Sequence, residues 1–206
     1  LLPWVVVRVR LGDAPADAAP PFTEDRAAAG RFTIVRELGD DEIAAFVTST
    51  RAPSVRDLFG APIRVDPGNG KDWYVAAGEG ERSLGTVQVA EMGAVTARRN
   101  REAGYWEFRM SFQDASGETY KLPLSDLTAE TYFALLATEG RRPQEAGRMA
   151  RETLRDLPLH LRVALAAPTP AQPKRCYLHI SNVIAGPDAK LLDGPHPLGL
   201  PRPIGW

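Results

Sequence analysis

The sequence predicts a β-rich α+β fold, built as two small barrels or sheets with few short helices. Three observations predict it. Apolar residues alternate in many short runs, Gly-, Pro- and Asp-rich turns separate those runs, and only a few stretches carry helical spacing. The clearest run is Tyr105 to Asp126, where Trp106, Phe108, Met110 and Phe112 share one parity. Tyr120, Leu122 and Leu124 resume it after the Asp114-Ala-Ser-Gly117 break. Period two with aromatics predicts a half-buried hairpin.

Taken in order, Val5, Val7, Val9 and Leu11 alternate with Val6, Arg8 and Arg10, which predicts a strand ending at Gly12. The Ala-, Pro- and Asp-rich segment from Asp13 to Pro21 is a loop or linker, and Arg31 to Leu38 a second strand. Asp40 or Asp41 caps a short helix holding Ile43, Phe46 and Val47, and Ser54 caps another turn carrying Val55, Leu58 and Phe59. Ile63 to Asp66 is a short strand, and Asp66 to Gly70 a turn. Asp72 to Ala77 and Leu84 to Met92 are expected to pair across Gly78-Glu-Gly80.

Gly93 to Gly104, with Arg98, Arg99 and Arg101 and no apolar period, reads as a solvated connection between two halves. Beyond the hairpin, Thr128 is a good N-cap, with Leu127 and Tyr132 at staple positions and an apolar face running to Gly140. Pro143 to Asp156 is expected as a second helix lying on the surface, since Met149 and Leu154 are nearly its only large apolar residues. Leu157 to Leu165 and Cys176 to Ile180 alternate strictly and predict two final strands. The organisation expected is residues 1–92 as one β-rich domain, 93–186 as a second with one or two helices, and 187–206 as an extended Pro-rich tail.

The chain has 206 residues, 44% apolar and 25% charged, enough for a sizeable core. Its net charge is −1, which excludes a long-range basic field, so any anion binding is local. Four lysines stand against 21 arginines. Arginine suits bidentate contact with phosphate, although an Ala-, Arg- and Pro-rich composition also follows from GC-rich coding. Cys176 is the single cysteine, so neither an intrachain disulfide nor a multi-cysteine metal site can form. The opening LLPWVVVRVR lacks the pattern of a signal peptide, and no run reaches the roughly 18 apolar residues of a spanning helix. A cytoplasmic protein without membrane contact is expected, and the missing initiator Met marks the chain as a possible fragment.

Phe112, Gly117, Tyr120, Leu122 and Asp126, then Leu161, Val163, Leu165 and the Cys176-Tyr177 strand ending in Val183-Ile184, resemble the second half of prokaryotic dual OB-containing domains. The resemblance spans Tyr105 to Ile184 and implies paired OB folds that handle nucleic acid. The first half lacks the cysteine-bearing strand and the Trp-Ile-Arg-Pro segment expected of such an opening.

An OB-like barrel binds through strand faces on which bases stack and cations track phosphates. The candidate nucleic-acid-binding residues are Arg98, Arg99, Arg101, Tyr105, Arg109 and Lys121, with Lys174, Arg175 and Tyr177 on a neighbouring strand. Glu102, Glu107 and Glu118 interleave with them, as on an ordinary solvated face. A protein-docking alternative uses strand edges and the tail, with Pro201, Pro203 and Trp206 as anchors for other subunits. No catalytic constellation stands out. His160, His179 and His196 have no metal-ligand spacing, and Gly70-Lys71 lacks the glycine of a P-loop, so neither a cofactor nor a metal is expected. Cys176 lies in an expected buried strand, as a small apolar residue would.

Overall fold

A computed structural model of the chain describes residues 5–13, 19–23, 25–26, 28–99, 106–126, 129–131, 133 and 142–185. The fold is β-rich with few short helices, as its alternating sequence predicts. The elements in chain order begin with β1 (Val5–Leu11), β2 (Ala28–Glu37), α1 (Asp40–Thr50), β3 (Arg51–Ala52) and a 3-10 turn at Val55–Asp57. They continue with β4 (Arg64–Val65), β5 (Trp73–Ala76), β6 (Leu84–Arg99), β7 (Trp106–Asp114), β8 (Thr119–Pro123), α2 (Pro143–Leu154), β9 (Leu159–Leu165) and β10 (Arg175–Ala185).

Two sheets result. β1 and β2 form an antiparallel ribbon, and the remaining strands form one curled sheet in the order β4-β5-β10-β9-β6-β7-β8, with β3 parallel to β6. The curl brings the end of β8 to β10, where Leu124 bridges Ile180 in parallel and Ser125 N donates to Ile180 O at 2.8 Å. Five strands, β6 to β10, therefore curl round to meet, with α2 between β8 and β9. That is OB-like connectivity. Asp126, 6% exposed, fastens the closure by accepting from Val183 N at 2.7 Å and Ala129 N at 3.2 Å.

The interior follows from strand parity. Phe108, Met110, Phe112, Tyr120 and Leu122 are at most 2% exposed and meet Leu161, Val163, Cys176, Leu178 and Ile180 across the barrel. Each large side chain removed from water contributes about 1.5–3 kcal/mol. One end is closed by Val55, Leu58 and Phe59, all at most 2% exposed, and Val55 N is tied to the buried Asp114 carboxylate at 2.9 Å.

Four expectations are corrected. β5 and β6 do not pair with each other: β5 joins β4 and the Arg175–Tyr177 edge of β10, whose backbone groups β8 leaves open. Gly93 to Arg99 is no connection but the second half of β6, paired with β7, and its outward arginines mask the inward Val95 and Ala97. The irregular register between Met92 and Val95 bends this long strand around the barrel. α1 has Gly39 at its N-cap, with Asp40 and Asp41 in its first turn, and buries Ile43 and Val47 while Phe46 stays 42% exposed. α2 is not simply a surface helix, because Gly147, Ala150 and Leu154 are buried against the sheet. A Cβ on Gly147 would lie 2.1 Å from the Val95 carbonyl oxygen, so close approach replaces the large apolar face that sequence patterning looks for.

The position expected to divide two domains, between residues 92 and 93, falls inside β6, and strands from both sides share the curled sheet. The helix expected after Thr128 lies largely outside the described residues, of which 129–131 and 133 are helical. No helix among the described residues is long and apolar enough to cross a membrane.

Asp126→Ala should lower the free energy of unfolding by about 1–3 kcal/mol, because two backbone donors lose their partner where the sheet closes. Urea denaturation measures this, and an unchanged midpoint would show that the closure does not depend on Asp126.

Candidate nucleic-acid interface

Inward parity on β7 and β8 forces the intervening residues outward. Arg109, Ser111 and Gln113 on β7 lie beside Pro123, Lys121 and Thr119 on β8, and Arg109 also donates to the Lys121 carbonyl at 3.1 Å. Upstream, Arg98 on β6 faces Glu107 on β7 and pairs with it at 2.8 Å, and Arg99 is exposed. The turn between β9 and β10 brings the exposed Lys174 next to Arg175 and Tyr177 at the start of β10.

A single turn, Asp66 to Asp72, reaches both groups of cations. Its geometry is local: Gly68 N donates to Asp66 Oδ1 at 2.8 Å, Gly70 N to Asp66 O at 2.7 Å, and Asp66 N to Asp72 O at 2.7 Å. From this frame Asp72 takes the Arg109 guanidinium in an ion pair. Asp66, 4% exposed, accepts from Arg175 at 2.8 Å and from the Tyr177 hydroxyl at 2.6 Å. Tyr74 completes the cluster, with the Arg175 guanidinium 5.2 Å from its ring centroid and the Tyr177 ring 6.1 Å away.

The Tyr177 hydroxyl, the Gly68 N–H and the Arg175 charge hold the Asp66 carboxyl below its ordinary range. The same contact, with burial the larger cause, raises the Tyr177 hydroxyl. The cluster is thus a satisfied network rather than an open cationic strip. Arg98, Arg109 and Arg175 have carboxylate partners, whereas Arg99, Lys121 and Lys174 are exposed.

Sequence reasoning named the cations and missed the anions. Asp66 was legible only as a strand end and turn residue and Asp72 only as the start of a strand, since their partners lie 109 and 37 positions away. Arg101 and Tyr105, and the tail with Pro201, Pro203 and Trp206, lie outside the described residues.

Other candidates for chemistry are placed by the same strands. Cys176 is fully buried on β10, and burial pushes its thiol up, the opposite of an activated nucleophile. Burial lowers both His160 and His179, with the Arg51 charge adding to the effect on His160. No group of three or more His, Cys, Asp or Glu able to hold a metal is found among the described residues.

The depressed Asp66 value fixes a pH dependence. Its stabilisation is fully present above the unfolded carboxyl value, about 3.9, and is lost as pH falls through the lower folded value. Asp66→Asn should therefore have a lower urea midpoint than the parent at pH 7, with the gap narrowing below about pH 4. A constant gap across that range would contradict the network.

No protein family, curated protein or solved structure compared with the chain matches it.

Proposed function

We propose that this chain is a non-catalytic OB-type module that binds single-stranded nucleic acid, as a cytoplasmic subunit or domain of a larger assembly. One observation carries the reading. The Asp66–Asp72 turn gathers Arg109 of the outward β7–β8 face, Arg175 and Tyr177 of β10 and Tyr74 of β5, with Lys121 beside Arg109 and Lys174 beside Arg175. Cations for phosphates beside aromatic rings for bases are what single-strand binding requires. Asp66 and Asp72 lower the potential of that face, so binding is modest and salt-sensitive.

A second reading has its own observation. The β1–β2 ribbon leaves Val7, Leu11, Phe32 and Ile34 exposed at 37%, 59%, 53% and 45%. A two-stranded ribbon is marginal by itself, and an exposed apolar strand invites cover by another protein chain. The two readings are compatible within one assembly. Phe32→Ser with Ile34→Ser should release any protein that co-purifies with the parent, and unchanged co-purification would remove the docking reading.

Replacing Arg99, Lys121 and Lys174 together with Ala should weaken binding of a fluorescent oligothymidylate. The slope of log affinity against log salt should become shallower by about 2, at roughly 0.7 per lost phosphate contact. Asp72→Asn, which frees Arg109, should strengthen binding several-fold. Fluorescence anisotropy reads both, and absent binding by the parent would remove the proposal.

A further inference from the structure

We propose that one face of the β1–β2 ribbon is a second phosphate-contacting surface, taking the backbone of a single-stranded nucleic acid that extends beyond the β7–β8 face. The inference rests on the nucleic-acid reading above. The register pairs Arg8 with Thr33 and Arg10 with Ala29, while Val7 pairs with Ile34 and Leu11 with Ala28. Strand alternation therefore places Arg8 and Arg10 on the face opposite Val7, Leu11 and Ile34. Every residue of β2 is exposed, so neither of its faces is covered by the other described residues.

The charges on this ribbon differ from those around the Asp66–Asp72 turn. Its strands carry four arginines against one carboxylate, Glu37, in a chain of net charge −1. Arg36 is engaged bidentately by Glu42 at 2.7 Å, which draws that carboxyl down to about 2. Arg8, Arg10 and Arg31 have no carboxylate partner among the described residues. Gly30, at φ +84°, lets β2 take extra residues opposite Arg8 to Arg10. A concavity of about 540 Å³ lies at this irregularity, lined by Arg8, Arg10 and Arg31 together with Val9, Gly30 and Thr33.

Two features point to a polymer of phosphates. Arg8 and Arg10 are two strand residues apart, roughly 7 Å, so the surface repeats its charge along the ribbon, and each guanidinium fork suits phosphate oxygens. The loop between β1 and β2 is also anchored beside the β9–β10 loop of the candidate interface. Gly78 N donates to Pro20 O at 2.9 Å, and its neighbour Ala77 N donates to Lys174 O at 3.1 Å.

The test compares the full chain with the Arg8→Ala, Arg10→Ala, Arg31→Ala triple variant. The probe is an oligothymidylate of about 30 nucleotides, longer than the roughly 4–16 that one OB fold covers. The ribbon variant should bind roughly tenfold more weakly, with a salt slope shallower by about 2, while the matching triple Lys variant keeps the parent slope. Both keep the parent urea midpoint, since the altered side chains are exposed. Parent-like affinity and slope in the Ala variant would overturn the inference and leave the β7–β8 reading standing. Absent binding by the parent would overturn both. Tighter ribbon-dependent binding of a duplex of the same length, or of polyglutamate in place of the oligonucleotide, would overturn the assignment to a single strand.

Discussion

The structure depends on the meeting of β8 with β10. The parallel bridge from Leu124 to Ile180, the Ser125–Ile180 hydrogen bond and the Asp126 carboxylate on Val183 N turn a row of strands into a curled, closed core. With that closure the inward residues of β7, β8, β9 and β10 face one another out of water; without it they would form one open, apolar sheet face. Among the described residues β8 bridges β10 near Leu124 and Ile180, and β5 pairs with the Arg175–Tyr177 edge. The turn before β5 is thereby carried to the ends of β7 and β10. Closure, the extra strand and the Asp66–Asp72 turn are consequences of one geometry.

That turn sets the character of the candidate interface. The fold aims Arg109 and Arg175 outward, and the chain answers each with its own aspartate. Both pairs are largely withdrawn from solvent, and a paired guanidinium has fewer free donors and a weaker field to offer an anion. The ribbon shows the reverse condition, in which Arg8, Arg10 and Arg31 are exposed and, among the described residues, only Arg36 of the four is compensated. Charge balanced over the whole chain is unevenly distributed, and a net value of −1 conceals it.

Legibility in the sequence followed the range of the interactions. The hairpin of β7 and β8 and the strands β1, β9 and β10 were written in local alternation, which period-two patterning reads directly, whereas Ser54 starts its turn without a side-chain cap bond, its hydroxyl donating to Asp57. β6 was half hidden because Gly93 to Arg99 places arginines outward and only Val95 and Ala97 inward. α2 misled because Gly147 and Ala150 pack by close approach rather than by bulk. The candidate site was legible as cations on strand faces. Its anions were not, since the pairing of Asp66 with Arg175 spans the chain and arises only once β5 has joined β10. Arg8 and Arg10 were visible as outward strand residues, but only the register showed that no carboxylate stands opposite them.

Arginine-selective modification followed by mass spectrometry tests this division of charge most directly. The account predicts that Arg8, Arg10 and Arg31 react fast in the free protein and slowly once a single-stranded oligonucleotide is bound, and that Arg109 and Arg175 react slowly throughout. Ribbon arginines that react no faster than Arg109 and Arg175, or that the oligonucleotide leaves unprotected, would contradict it.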